Sequence, residues 1–410
     1  MKTETNLKSA NQLDYISLAL LATYPLALIF GNFIINLYIF LFSVSFLINF
    51  KENKIIFKDK IFYLLVFFFI SLLINNFFSL NPGNSFPRVF KILLVIFFIF
   101  EIKRLIYKYE ANFIKKIYKL WFWIFLILTI DILFETLFGH NMVGNKSNML
   151  GRIASFFGNE LIIGAFYHGF AMFIFSYLIL NKTKSYFLVF LIFFILLMGF
   201  LIGERSNYIK LFLSTIFFFS LALQINYKVK IISFFTMLII MFAIINLHSP
   251  FKSKYYNQIK DLFAINGYSE YIKNSHYGAH RDAAIKIFKQ NLIFGVGVKN
   301  FRNESGKKIY ENKDYAWTNS RQSTHPHQIH HEFLSETGIF GYLCFLIFII
   351  SAIYLSFKNY LKYKNLYQLS AIIFIITSLL PLLPSGSFLS TYVSGIFWIN
   401  FAIMSAYIKN

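Results

Sequence analysis

The chain has 410 residues, of which 57% are apolar and only 14% charged, with 55 Phe and a net charge of +21. Soluble domains carry nearer a quarter charged residues, and apolar windows of about 20 residues recur along almost the whole chain, so a water-soluble class is excluded and an all-α polytopic membrane protein is expected. The positive charge suggests nucleic acid at first sight, but cytoplasmic loops of membrane proteins collect Lys and Arg anyway, and nucleic acid is not an expected partner.

The opening residues "MKTETNLKSANQLD" lack the small-residue cleavage site of a signal peptide, and the first apolar segment runs straight into the second, so it is expected to be retained. Twelve spans are predicted in order: 15–32, 33–50, 61–80, 88–106, 117–138, 161–180, 185–203, 207–225, 230–247, 338–357, 367–384 and 388–408. Backbone groups in lipid must bond within their own segment, so the spans are helices. The single Cys, Cys344, lies in one of them, which leaves no disulfide framework and no Cys-based metal site.

With the N-terminus placed in the cytoplasm, the inside segments and termini carry 20 Lys and Arg, against Arg88, Lys146, Arg152 and Arg205 in the short outer loops. The positive-inside rule therefore puts both termini in the cytoplasm. It also puts residues 248–337 outside, as one large, partly helical loop between helices 1–9 (1–247) and helices 10–12 (338–410). That loop holds 13 Lys and Arg against 8 Asp and Glu, and seven of the nine histidines. Anionic headgroups or a phosphate-bearing ligand would account for its basic excess. Charges deep in the spans are few: Lys91, Asp131 and Lys210.

Four stretches facing outside carry candidate chemistry. "GRIASFFGNELIIGAF" (151–166) contributes Arg152, Asn159 and Glu160; Arg152 suits a ligand phosphate or a headgroup. Arg205, in "LIGERSNYIK", stands between two apolar spans, where a charge is expensive. It can pair with Glu204, snorkel to the interface, or receive an anion through its planar fork. In "HYGAHRDAAIKIFKQNLIFGVGVKNF" (276–301) the apolar spacing predicts an amphipathic helix over 282–290, with Arg281 at or near its first turn, where an anion would also be favoured. The following "GVGVKNF" is a Gly-punctuated turn and reads as scaffolding.

"STHPHQIHHEFLSETGIFG" (323–341) reads as a helix start, with Ser323 or Thr324 as cap, Pro326 in the first turn and Gly338 ending or bending it. His327 and His331 would then share a face one turn apart, and Glu332 and Glu336 are likewise four apart. Three readings are open: a metal site, a solvated histidine run, or a proton-transfer site. The order is not H-E-x-x-H and no Cys is near, which weakens the first. The third has a physical basis, because neighbouring cations and the positive end of a helix dipole keep imidazole neutral and able to accept a proton.

These stretches together resemble the O-antigen ligase and polymerase superfamily of bacterial inner membranes. "HPHQIHHEFLSETGIFG" is similar to its His-Asn-x-x-Leu…Glu-x-Gly-x-x-Gly block, "RDAAIKIFKQNLIFGVGVKNF" to its Arg–helix–"P-L-x-G-V-G" block, and "GERSN" to the Arg that follows a span midway. The resemblance implies a metal-independent glycosyltransferase without cofactor, acting at the periplasmic face. It implies that His327, Arg281 and Arg205 are catalytic, with Arg152, Asn159, Glu160, Gln328 and Glu336 around the substrates. The implied partners are an undecaprenyl-diphosphate-linked glycan as donor, lipid A–core or another glycan as acceptor, and membrane lipid. Gln328 stands where the family has Asn, His330 and His331 replace an aromatic–aliphatic pair, and Asn291 stands at the usual Pro. The single late loop favours ligase over polymerase, with protein O-glycosylation a third outcome of the same chemistry. Twelve spans also fit a transporter of lipid-linked glycan, but a transporter places charges near mid-membrane, and here the polar residues cluster at the outer face.

Overall fold

The computed structural model describes residues 12–50, 54–109, 111–149, 151–158, 160–222, 226–247, 260, 263–264 and 266–408. Helices run along the chain as α1 (Gln12–Phe30), α2 (Asn32–Ile48), α3 (Lys60–Phe77), α4 (Pro82–Lys108), α5 (Ala111–Phe138), α6 (Ile163–Leu180), α7 (Ser185–Leu201), α8 (Arg205–Leu221), α9 (Tyr227–Leu247), α10 (Gly267–Lys273), α11 (His276–Gln290), α12 (Ile329–Tyr363), α13 (Leu366–Ser378) and α14 (Thr391–Ala406). No strand occurs among the described residues. Each of the twelve predicted spans overlaps one helix, though not every one of these helices is long and apolar enough to cross a membrane. Five of these (α1, α3, α5, α6 and α12) are long and apolar enough to cross a membrane, and α2, α7, α13 and α14 are shorter apolar helices. The protein is a membrane protein on this pattern.

Local sequence explains the boundaries. Gly31, at φ 96°, separates α1 from α2, because few other residues take that backbone without strain. Asp59 accepts the Ile61 amide at 2.9 Å and starts α3. The spans predicted as 367–384 and 388–408 are shorter than expected: α13 stops at Ser378 and α14 begins at Thr391. Pro381, Pro384 and Gly386 lie between them and cannot carry a helix across, so residues 379–390 form an irregular loop.

The apolar faces merge into one core in which Trp121, Trp398, Phe42, Phe68 and Phe98 are fully buried. Within it α12 lies along α3 and α11, and α4 lies between α2 and α14. Ala283, Ala284 and Ile287 of α11 pack with Val296, Phe301 and Tyr310 in a small separate core.

The deep charges of the predicted spans find partners. Glu101 takes hydrogen bonds from Arg104 Nε at 2.9 Å and from Ser45 Oγ at 2.7 Å. Arg104 and Lys108 also pair with the buried Asp14, at 2.5 and 2.9 Å. Asp131 accepts the Met142 amide at 2.7 Å and the Ser155 hydroxyl, and Lys210 donates to the Pro384 carbonyl at 2.9 Å.

α12 breaks at Gly338, whose φ of 63° and ψ of −168° are not helical. The break frees backbone groups, and the loop after α11 meets them. Ile339 and Phe340 donate to the carbonyls of Leu292 and Ile293, while Val296 and Gly297 donate to those of Ser335 and Glu336, all at 2.8–3.1 Å. The fit is close enough that a Cβ on Gly295 would lie 2.5 Å from the Glu336 carbonyl carbon. "GVGVKNF" is therefore a clasp on the kink of α12, and it fixes where the 323–337 segment sits.

Candidate active site

α12 begins at Ile329, later than the sequence predicts. Its cap is Gln328, whose side-chain oxygen accepts the His331 amide at 3.0 Å, not Ser323 or Thr324. His327 lies outside the helix with φ 55°, a left-handed backbone. The expected pairing of His327 and His331 on one helical face is thus absent, and His327 is aimed by the loop instead.

The His327 ring packs against three others, at centroid distances of 4.1 Å to His325, 5.0 Å to His280 and 5.5 Å to Tyr277. Ser323 Oγ lies 3.4 Å from its Nε2. Burial, then the neighbouring imidazoles His325 and His280, pushes its pKa down to about 3. His325 is pushed to about 4, by burial and then by Lys299 and His280. Burial also lowers that of His280. Both members of the His327–His325 pair are neutral at pH 7, and burial rather than a helix dipole is the main cause.

Arg281 belongs to the helix that supplies Tyr277 and His280. That helix starts at His276, with Ser275 capping the Gly278 amide at 3.0 Å, so Arg281 lies in its second turn and not at an N-terminus. The Ser275 cap extends the helix one and a half turns upstream of the apolar stripe that the sequence shows. Arg281 donates to Tyr268 Oη at 3.1 Å. It lines a cavity of about 240 Å³ together with Tyr268, Ser269, Lys273, Asp282 and Tyr315.

Arg205 is the first residue of α8, half-buried. The 379–390 loop ties its helix to the histidine segment. Ser206 Oγ and Lys210 Nζ donate to the Pro384 carbonyl, at 2.5 and 2.9 Å, and the next residue, Ser385, donates its amide to the His327 carbonyl at 2.8 Å. Gln328 Nε2 holds the same loop through the Pro381 carbonyl at 2.9 Å. His330 bonds the Leu379 carbonyl at 2.8 Å and Tyr342 Oη at 3.0 Å, which makes it a brace.

The remaining expected residues are distributed unevenly. Arg152 pairs with the buried Glu204 at 3.2 Å and donates to the Leu161 carbonyl at 3.1 Å. Glu160 is exposed. Asn159 lies outside the described residues. Glu336 is buried and accepts the amides of Lys299 at 2.8 Å and Phe301 at 3.3 Å, so both of its oxygens hold the clasp. Gln328 spends its amide on the cap and the loop.

Sequence reading passed over Tyr277, His280, Lys299 and Ser385. Only His280 left a signal, as the neighbour of Arg281 in "AHRD". Several polar atoms of the histidine segment and its neighbours are buried without a protein partner: His280 Nδ1, His325 Nε2, His331 Nδ1 and Ser385 Oγ. Buried polar groups normally have partners, so these four atoms have room for a bond to ordered water or to a polar ligand. The described residues contain no grouping of three His, Cys, Asp or Glu side chains arranged to hold a metal; the His280 ring stacks on that of His327, and the His325 ring is tilted 45° to it.

The family model described as O-antigen ligase matches residues 170–346, from within α6 to within α12. Comparison with curated proteins gave no match. Members of the matched family are glycosyltransferase-like enzymes that act on glycans, with lipid-linked glycans and membrane lipids as the general substrate class.

Proposed function

For a chain whose residues 170–346 belong to the O-antigen ligase and polymerase superfamily, we propose the function of an O-antigen ligase. It moves a glycan from undecaprenyl diphosphate to lipid A–core at the periplasmic face of the bacterial inner membrane, without a metal. The observation that carries this reading is the arrangement around His327. The ring touches the helix bearing Arg281, and its backbone shares the 379–390 loop with the helix bearing Arg205.

In the proposed step the acceptor hydroxyl oxygen attacks the anomeric carbon of the donor. The bond from that carbon to the diphosphate oxygen breaks, and undecaprenyl diphosphate leaves with the electron pair. His327 accepts the hydroxyl proton. Arg205 and Arg281 neutralise the charge that develops on the diphosphate, the task a metal ion performs in other sites. A neutral imidazole with a strongly lowered pKa is a weak base on its own. A diphosphate beside it restores proton affinity, so His327 gains base strength when the donor is bound. Attack opposite the leaving group inverts the anomeric centre.

The test is expression of wild type and His327→Ala in a ligase-deficient strain, with the lipopolysaccharide separated on a gel. Long-chain product with wild type alone is expected. Equal product from both removes His327 from the reaction, and carrier-linked polymer in place of capped lipid A–core makes the protein a polymerase.

A further inference from the structure

Among the described residues Lys91, like Lys210, has no acidic partner within ion-pair distance. Its ammonium donates to Asn36 Oδ1 at 2.7 Å and Thr391 Oγ1 at 3.4 Å, both neutral. Arg88 lies one turn before it on the same face of α4, and Ser85 one turn before that. Ser85 donates to the Val298 carbonyl at 2.7 Å, and Asn84 Nδ2 reaches Asn300 Oδ1 at 3.4 Å, so this face of α4 is docked on the clasp loop. The clasp adds Lys299, buried and held through Ser387 Oγ, and the exposed Arg302. Lys299 lies within the field of Glu332 and Glu336 first and then of Arg88 and Arg302, and Lys91 within that of Arg88 and Lys299.

Four cations thus converge from α4 and the 299–302 segment beside the 385–391 loop. The acids beneath them face Lys299 alone: Ser387 Oγ accepts from Lys299 Nζ and donates to Glu332, and Glu336 takes the Lys299 and Phe301 amides, which leaves Arg88, Lys91 and Arg302 to be offset. Among the described residues no ion pair joins any of the four cations to a carboxylate. Gathering like charges at the edge of hydrocarbon is costly unless an anion offsets it. Two guanidinium forks beside two ammonium groups match the oxygens of a phosphate.

We infer that Arg88, Lys91, Lys299 and Arg302 form a second anion site, which holds a phosphate group carried by a lipid. It is separate from the donor site assigned to Arg205 and Arg281. His325, which lies in the field of both Lys299 and Arg302 and packs on His327, connects the two. Two phosphate sites flanking one imidazole suit a reaction between two lipid-anchored molecules. Only that last identification rests on the proposed function; the site itself rests on the cations.

The experiment uses the full-length protein in phosphatidylcholine nanodiscs, titrated with inorganic pyrophosphate by calorimetry. Wild type is compared with the pair Arg88→Gln/Arg302→Gln and the pair Arg205→Gln/Arg281→Gln. Two pyrophosphates per chain are expected for wild type, and each pair of substitutions should weaken a different one by about tenfold or more. Unchanged stoichiometry and affinity in the 88/302 variant overturns the second site, whatever the 205/281 variant does. Unchanged binding in the 205/281 variant overturns the donor site alone. Retained binding in Arg88→Lys/Arg302→Lys separates loss of charge from misfolding. Arg302→Gln alone, on an exposed side chain, gives the same readout if the double variant does not purify. Repeating the titration in discs containing phosphatidylglycerol identifies the source. Loss of the second pyrophosphate there assigns the site to a bulk phospholipid headgroup, and its persistence assigns it to the phosphate of a substrate lipid.

Discussion

Glu336→Ala tests whether the clasp on α12 holds as described. Glu336 is 1% exposed, and its two oxygens accept the amides of Lys299 at 2.8 Å and Phe301 at 3.3 Å. Lys299 has φ 65°, a backbone that a side-chain-bearing residue adopts only when its surroundings hold it there. Removing the carboxylate leaves two buried N–H groups without acceptors, each costing about 1–3 kcal/mol. The longer bond belongs at the low end, so the sum is about 2–4 kcal/mol. At about 1.4 kcal/mol per factor of ten, local opening at residues 299–301 should become roughly 30- to 1,000-fold more frequent. Hydrogen exchange followed by mass spectrometry on the nanodisc-embedded protein reads this directly. Peptides covering 296–301 should lose protection while those from α5 keep theirs. Glu336→Gln, with one acceptor oxygen left and an amide facing a donor, should fall between. Wild-type protection at 299 and 301 in the Ala variant would refute the clasp. If activity fell at the same time, Glu336 would belong to substrate binding, as the sequence resemblance implies.

Further outcomes follow from the same geometry. For His325 and His327 the folded pKa values lie below the ordinary 6.5, so between about pH 4 and 6.5 the unfolded chain binds more protons. Their contribution to stability is complete above 6.5 and is lost as pH falls through that window. The melting temperature should drop from pH 7 to pH 5, and less steeply in His325→Gln/His327→Gln; equal slopes in the two proteins would contradict the assignment. The acid limb of kcat/KM, which reports the free enzyme, should lie well below 6.5, and that of kcat, with diphosphate bound, should lie higher. Gly338→Ala drives a Cβ into the Ile293 carbonyl at a positive φ, and a loss of at least about 1–3 kcal/mol is expected in thermal unfolding. Arg152→Ala removes the charged partner of buried Glu204 and should cost about 1.5–3 kcal/mol. Lost activity at an unchanged melting temperature would instead place Arg152 at the substrate.

Much of the helical framework was legible because apolar length is a strong signal in a membrane chain. Gly31 and Gly338 marked a break and a kink where the backbone needs φ above zero. The helix starts were less legible. Ser275 extends α11 upstream of its apolar stripe, and Gln328, a residue with no special reputation as a cap, takes that role because its amide also reaches Pro381. Hence Arg281 lies a turn deeper in its predicted helix than expected, and His327 lies outside its predicted helix. The 379–390 loop was hidden in runs of Leu and Phe that read as spans, although Pro381 and Pro384 stood in plain view. Tertiary partners such as Lys299 with Ser387, or Arg152 with Glu204, leave no trace in local spacing, since each joins segments distant in sequence.

α12 also acts as a gauge of height. The stretch from Gly338 to Tyr363 rises about 39 Å at 1.5 Å per residue, whereas the hydrocarbon layer is about 30 Å thick. Anchored at its lower end by Tyr360, which donates to the Leu221 carbonyl at 2.8 Å, this rod has no means to shorten. The clasp and the histidine segment at its other end therefore stand a fixed distance from Tyr360, and that distance exceeds the hydrocarbon thickness. A bilayer of different thickness must tilt the rod or deform around it. Turnover by this protein should consequently depend on acyl-chain length in the host membrane, independently of which sugar is transferred.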